Sequence, residues 1–154
     1  MSVKTDEVRG VQVLKFGGSS LADASRLARV VAVIEEARRR GPSVVVVSAF
    51  GDTTDALLDA ARAASRGNLE DSRAHVAAAR LAITGAVGEV ARARGVAWDD
   101  LEELVRAEYA PLVGLLEAIA VVGDCSPATL DRVLAFGEVV SSFVITELLQ
   151  RAGI

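Results

Sequence analysis

The chain has 154 residues, 51% of them hydrophobic and 25% charged, which is enough for one globular core. A single cysteine excludes a disulfide framework and a multi-cysteine zinc site, and 17 basic against 21 acidic residues give a net charge of -4 that offers nucleic acid no electrostatic hold. No apolar run reaches the roughly 18 residues of a membrane span, and the polar lead-in over residues 1–10, with Asp6 and Glu7, lacks the apolar stretch of a signal peptide; a cytoplasmic protein with neither membrane nor nucleic-acid partner is expected.

Val11 to Phe16 is β-branched and apolar enough for a buried strand, and Gly17-Gly18-Ser19-Ser20 interrupts it. Leu27, Val30, Val31, Ile34 and Ala37 then recur at helical spacing, with Ser20 and Asp23 placed as a capping box. Arg38, Arg39 and Arg40 complement the dipole at the helix C-terminus, and Gly41-Pro42 stops it. Val44 to Val47 runs apolar without alternation, as a strand covered on both faces would. Strand, helix and strand in this length predict a parallel crossover unit.

The remainder reads helical. Thr54 to Ser65 is one segment, and Asn68 with Asp71 caps a long Ala-rich helix that ends at Arg94-Gly95. From about Asp99, Leu101, Leu104, Val105, Leu112, Leu115, Leu116 and Ile119 form one stripe, in which Pro111 should kink or divide the helix. Ser126-Pro127 is a good Ncap–N1 pair, Gly137 should kink or divide the last helix, and Gly153 sits as its C-cap glycine. Two strands are too few to cover that many amphipathic helices, because sheets usually hold about four to six. The expectation is a truncated α/β domain.

The segment Lys15 to Ser20 has the context of a phosphate site. Glycines let the backbone approach an anion, free N–H groups at the turn point outward, and Lys15 adds a cation at the carboxyl end of a strand. It is neither a Walker A loop nor a dinucleotide fingerprint, and a glycine pair alone would mark only a turn. However, Ser48 to Thr54 leaves the second strand as another small-residue loop, and a parallel pair brings both loops to the same side. His75 reads as a surface histidine and Cys125 as a bystander thiol. Trp98 and Tyr109 read as packing residues, and no metal-ligand cluster is spelled out.

Lys15-Phe16-Gly17-Gly18-Ser19-Ser20, followed by Leu21-Ala22-Asp23, resembles the opening signature of the aspartokinases, members of the amino-acid kinase family. Val44 to Ala49 with Gly51-Asp52-Thr53-Thr54-Asp55 is similar to that family's Val-Val-Val-Ser-Ala-Met-Gly-Asp-Thr-Thr-Asp segment, with Phe50 at the methionine. Ala135-Phe136-Gly137-Glu138 with Ser141 resembles its Gly-Glu-x-x-Ser segment. The resemblance implies a three-layer αβα fold, with residues 11–154 as the N-terminal portion of a catalytic domain, truncated, lacking ACT domains and carrying a long helical insertion between Ser65 and Pro127.

It further implies ATP-dependent phosphorylation of the L-aspartate β-carboxylate, the opening step of lysine, threonine and methionine biosynthesis. Lys15 would be the catalytic cation. Lys15, Phe16, Gly17, Gly18 and Ser19 would bind ATP, and Ser48, Thr54 and Glu138 would bind aspartate. Mg2+ would be held mostly by phosphates and by a second half of the domain. Without that half the chain is expected to be inactive alone and to self-associate as a homo-oligomer through exposed edges. The alternatives are another amino-acid kinase, acting on glutamate or acetylglutamate, and a non-catalytic anion-binding or oligomerising fragment.

Overall fold

The computed structural model describes residues 10–154, so the polar lead-in lies outside the described residues except for Gly10. Strands β1 (Gln12–Phe16) and β2 (Ser43–Val47) pair in parallel, Gln12 opposite Ser43 and Phe16 opposite Val47. Helix α1 (Ala24–Arg40) connects them, and α2 (Thr53–Ser65), α3 (Leu69–Ala93), α4 (Leu101–Val122) and α5 (Pro127–Arg151) follow. The parallel unit and the helical remainder match the sequence expectation, and the described sheet has two strands.

Coverage of the sheet is one-sided. Side chains alternate across a strand, and Leu14, Phe16, Val45 and Val47 pack against the helical core. The opposite face carries Val13, Lys15, Val44 and Val46, with Val13 and Val44 68% and 50% exposed. The unbroken valine run therefore does not report burial on both faces. Among the described residues no helix covers the outer one.

Three local expectations are corrected. Ser20 does not cap α1: Gly18–Ser20 forms a 3-10 turn, and Asp23 is the N-cap, its Oδ1 accepting from the Arg26 amide at 2.8 Å. Pro111 does not divide α4, which runs through it. Pro111 lies with Ala107 and Ala110 on the exposed side, where water can take the carbonyl that the missing N–H leaves free. Gly137 likewise leaves α5 whole, and its role is in packing.

The caps read from sequence at α3 and α5 are present. Asn68 accepts from the Asp71 amide, and Ser126, with Pro127 at N1, accepts from that of Thr129. At the C-terminus of α5, Gly153 takes φ +72°, the Ile154 amide donates to Leu149 and the Gly153 amide to Gln150. That double bond pattern is a Schellman ending. Arg38 Nη1 donates to the Gly153 carbonyl at 2.8 Å, so one of the three arginines ties α1 to the end of α5, while Arg39 and Arg40 pair with Glu36. These two guanidiniums hold the Glu36 carboxyl below its ordinary range.

One core joins all five helices through Leu27, Val31, Leu57, Ile83, Val105, Leu112, Val144 and Leu148. Removing each such side chain from water stabilises the fold by about 1.5–3 kcal/mol before chain entropy is subtracted. Helix α5 is long and apolar enough by length and composition to cross a membrane, although Glu138 and Glu147 break it and no uninterrupted apolar run reaches that length. It passes because residues 133–150 hold valine, leucine, isoleucine and phenylalanine in excess, with Glu138 and Glu147 as their only charges. Val133, Gly137, Val140, Val144, Ile145 and Leu148 form its buried stripe in this fold.

Candidate active site

The turn after β1, the turn after β2 and the middle of α5 meet at Ala49. The Ser48 amide donates to the Phe16 carbonyl at 3.0 Å and the Gly51 amide to the Gly18 carbonyl at 3.2 Å, so the two strand-end loops are joined by main chain. A Cβ on Gly18 would lie 2.8 Å from the Ala49 carbonyl oxygen, and one on Gly137 would lie 2.7 Å from Ala49 Cβ. Both positions exclude any side chain for lack of space. The third contact is polar. Glu138 Oε1 accepts from the Ala49 amide at 3.3 Å and from Ser48 Oγ at 3.4 Å. Small residues thus let three distant segments approach within bonding range.

The first loop presents donors. The Ser20 and Leu21 amides donate to Gly17 and Gly18 and build the 3-10 turn. The amides of Gly17, Gly18 and Ser19 donate to nothing among the described residues. Free N–H groups at the start of a 3-10 turn are donors that an anion can use. Gly17 has open space where a Cβ would go, unlike Gly18. Lys15 stands exposed on the outer sheet face opposite Val46 and makes no ion pair or hydrogen bond among the described residues.

The acceptor side is assembled in part. Ser48 and Glu138 are brought together. Thr54 is exposed on the first turn of α2 and has no such bond to either. Its neighbour Thr53 is 3% exposed and its hydroxyl has no partner among the described residues. Asp52 occupies the N-cap of α2 without a side-chain cap bond. No group of three or more His, Cys, Asp or Glu able to hold a metal occurs among the described residues.

Features missed by the sequence reading are Ala49 itself and a groove of about 470 Å3 beside the glycine loop, lined by Phe16, Ser19, Arg26, Arg29, Val30 and Val33. Arginines three apart on a helix share a face, which was the available signal. A second cavity of about 550 Å3, between α3 and the segment from Val96 to Glu102, contains none of the candidate residues. Cys125 has no activating partner among the described residues: burial and Asp124 push its thiol up.

The model of the amino acid kinase family matches residues 10–154. The chain belongs to that family. Its curated relatives include the aspartokinase of Mycolicibacterium smegmatis, 59% identical over 54 residues, which cover 34% of this chain and 13% of that protein. The bifunctional aspartokinase/homoserine dehydrogenase of Buchnera aphidicola is 24% identical over 140 residues, covering 91% of this chain and 17% of that one. The structure of E. coli aspartokinase III in complex with aspartate and ADP superimposes with a TM-score of 0.72 at 22% identity, covering 94% of this chain and 30% of the other. The fold is therefore that of the amino-acid kinases, and the chain spans less than a third of that structure and well under a fifth of these curated relatives.

Proposed function

We propose that this amino acid kinase family chain is the N-terminal portion of an aspartokinase catalytic domain, contributing to phosphorylation of the L-aspartate β-carboxylate by ATP. The observation that carries the reading is the convergence on Ala49 of the glycine loop, the loop after β2 and the Gly137-Glu138 pair, because it joins a row of free amides to the polar side chains of Ser48 and Glu138. The names of the curated relatives favour aspartate over glutamate.

In this reading the free amides of Gly17, Gly18 and Ser19 hold the triphosphate and Lys15 neutralises the transferring phosphoryl group. A carboxylate oxygen of aspartate forms the new P–O bond while the bond to the β,γ-bridging oxygen breaks and ADP leaves. The nucleophile is already ionised, so no general base is needed, and positioning with charge neutralisation is the work of the site. Glu138 takes the substrate ammonium on the oxygen not held by Ala49, with Ser48 on the loop after β2 and Thr54 on the first turn of α2 contributing the remaining aspartate contacts. Mg2+ would arrive with the phosphates. The setting is the cytoplasmic synthesis of lysine, threonine and methionine, with self-association through the uncovered sheet.

Calorimetric titration of MgATP into the chain and into Lys15→Ala tests the site. Binding lost or weakened at least tenfold by the substitution is expected, and equal binding by both proteins refutes the assignment. Steady-state turnover by the purified chain would refute the further expectation that it is inactive alone.

A further inference from the structure

The groove on the α1 side of the glycine loop has no part in the phosphoryl transfer proposed for this chain. Its wall is α1, where Arg26 and Arg29 follow one another on one face, with Val30 and Val33 below them and Phe16 across. Arg26 is already committed: its Nη1 donates to the Ser19 carbonyl at 3.3 Å and its Nε lies 3.5 Å from Asp23. Arg29 lines the same groove and has no acidic or carbonyl partner among the described residues. Helical side chains lean toward the N-terminus of their helix, so Arg29 leans back toward Ser19 and Ser20 rather than away from them. Of the three residues with free amides, Ser19 lines this groove together with Arg29, so a free guanidinium there is suited to an anion long enough to reach from the loop to α1.

We infer that Arg29 is a second anchoring point for a chain of phosphates, holding one phosphate from the α1 side while the Gly17–Ser19 amides hold another. Arg26 is the positioning residue that fixes the loop through the Ser19 carbonyl. The inference rests on the glycine loop being an anion site and adds a length requirement: a single phosphate occupies the loop alone, whereas a polyphosphate spans loop and arginine.

The test titrates orthophosphate and tripolyphosphate separately into the unmodified chain, Arg29→Ala, Gly17→Ala and Arg66→Ala, reading affinity by calorimetry and backbone amide shifts. Arg66, exposed at the far end of α2, controls for net charge, and thermal melts control for folding. Arg29→Ala should weaken tripolyphosphate about fivefold or more, the loss of one charge-assisted contact near a surface, and leave orthophosphate unchanged. Equal loss for both anions, the same loss with Arg66→Ala, or no loss with Arg29→Ala overturns the inference. Gly17 to Ser19 amides that do not shift with either anion instead overturn the loop as the anion site, and so separate the two failures.

Discussion

Glu138 holds the Ala49 amide with one carboxylate oxygen, Oε1, which the Ser48 hydroxyl also reaches. A bond across 89 residues of sequence fixes the loop after β2 to α5 and fixes the carboxylate with it. Glutamine keeps an acceptor for Ala49 but loses the charge. Glu138→Gln should therefore change unfolding free energy by less than about 0.5 kcal/mol, while thermal stabilisation by aspartate disappears. Retained stabilisation would remove Glu138 from the proposed ammonium site.

The two glycines of the first loop should separate packing from binding. Gly18→Ala forces a Cβ against the Ala49 carbonyl and should cost about 1–3 kcal/mol in denaturant melts. Gly17→Ala meets open space in the protein, so its melt should match the unmodified chain while its polyphosphate affinity falls. A Gly17→Ala chain that binds normally argues against close approach of an anion there.

Gly137 and Ala49 should behave as one unit. Gly137→Ala creates a Cβ–Cβ clash and should destabilise by about 1–3 kcal/mol. Ala49→Gly in the same chain removes the clashing atom and should recover part of the loss, giving a coupling of about 0.5 kcal/mol or more in a double-mutant cycle. Additive effects would mean the two do not touch.

Tyr109 is buried on α4 and its hydroxyl has no partner among the described residues. Burial pushes its phenol up to about 12 from 10. An acid with a raised native value loses its proton first in the unfolded chain, so its contribution is whole below pH 10 and lost as pH rises toward 12. Tyr109→Phe should be neutral or stabilising at pH 7 and should remove about 2–3 kcal/mol of alkaline sensitivity over that window. Unfolding curves at pH 8, 10 and 11.5 check the sign.

Arg151 lies 4.8 Å from the Trp98 ring centre and pairs with Asp100, joining the end of α5 to the α3–α4 connection. Arg151→Ala should cost about 1 kcal/mol, and Arg151→Lys should restore less than half of it, because the ammonium lacks the planar stacking face. Full rescue by lysine would reduce the contact to charge alone.

Much of this was legible in the sequence. The β1–α1–β2 unit, the caps at Asn68 and Ser126 and the ending at Gly153 carry strong local signals, since each depends on side chains within a few positions. What escaped is set by tertiary context. Asp23 displaced Ser20 as cap because Gly18–Ser20 was already taken by its own turn. Pro111 was harmless because its exposed side leaves the broken bond to water. Gly137 looked like a helix breaker, yet it is a contact surface for a residue 88 positions away. The valines of β2 could not announce which face would be bare.

That bare face sets a condition on anything resting there. Lys15 projects from among Val13, Val44 and Val46, so a surface that seals over those isopropyl groups also strips water from an ammonium. A purely greasy cover would strand the charge at a cost of several kcal/mol. Only a surface that brings an anion to Lys15, its own or one carried by a bound phosphate, can close the sheet without that penalty.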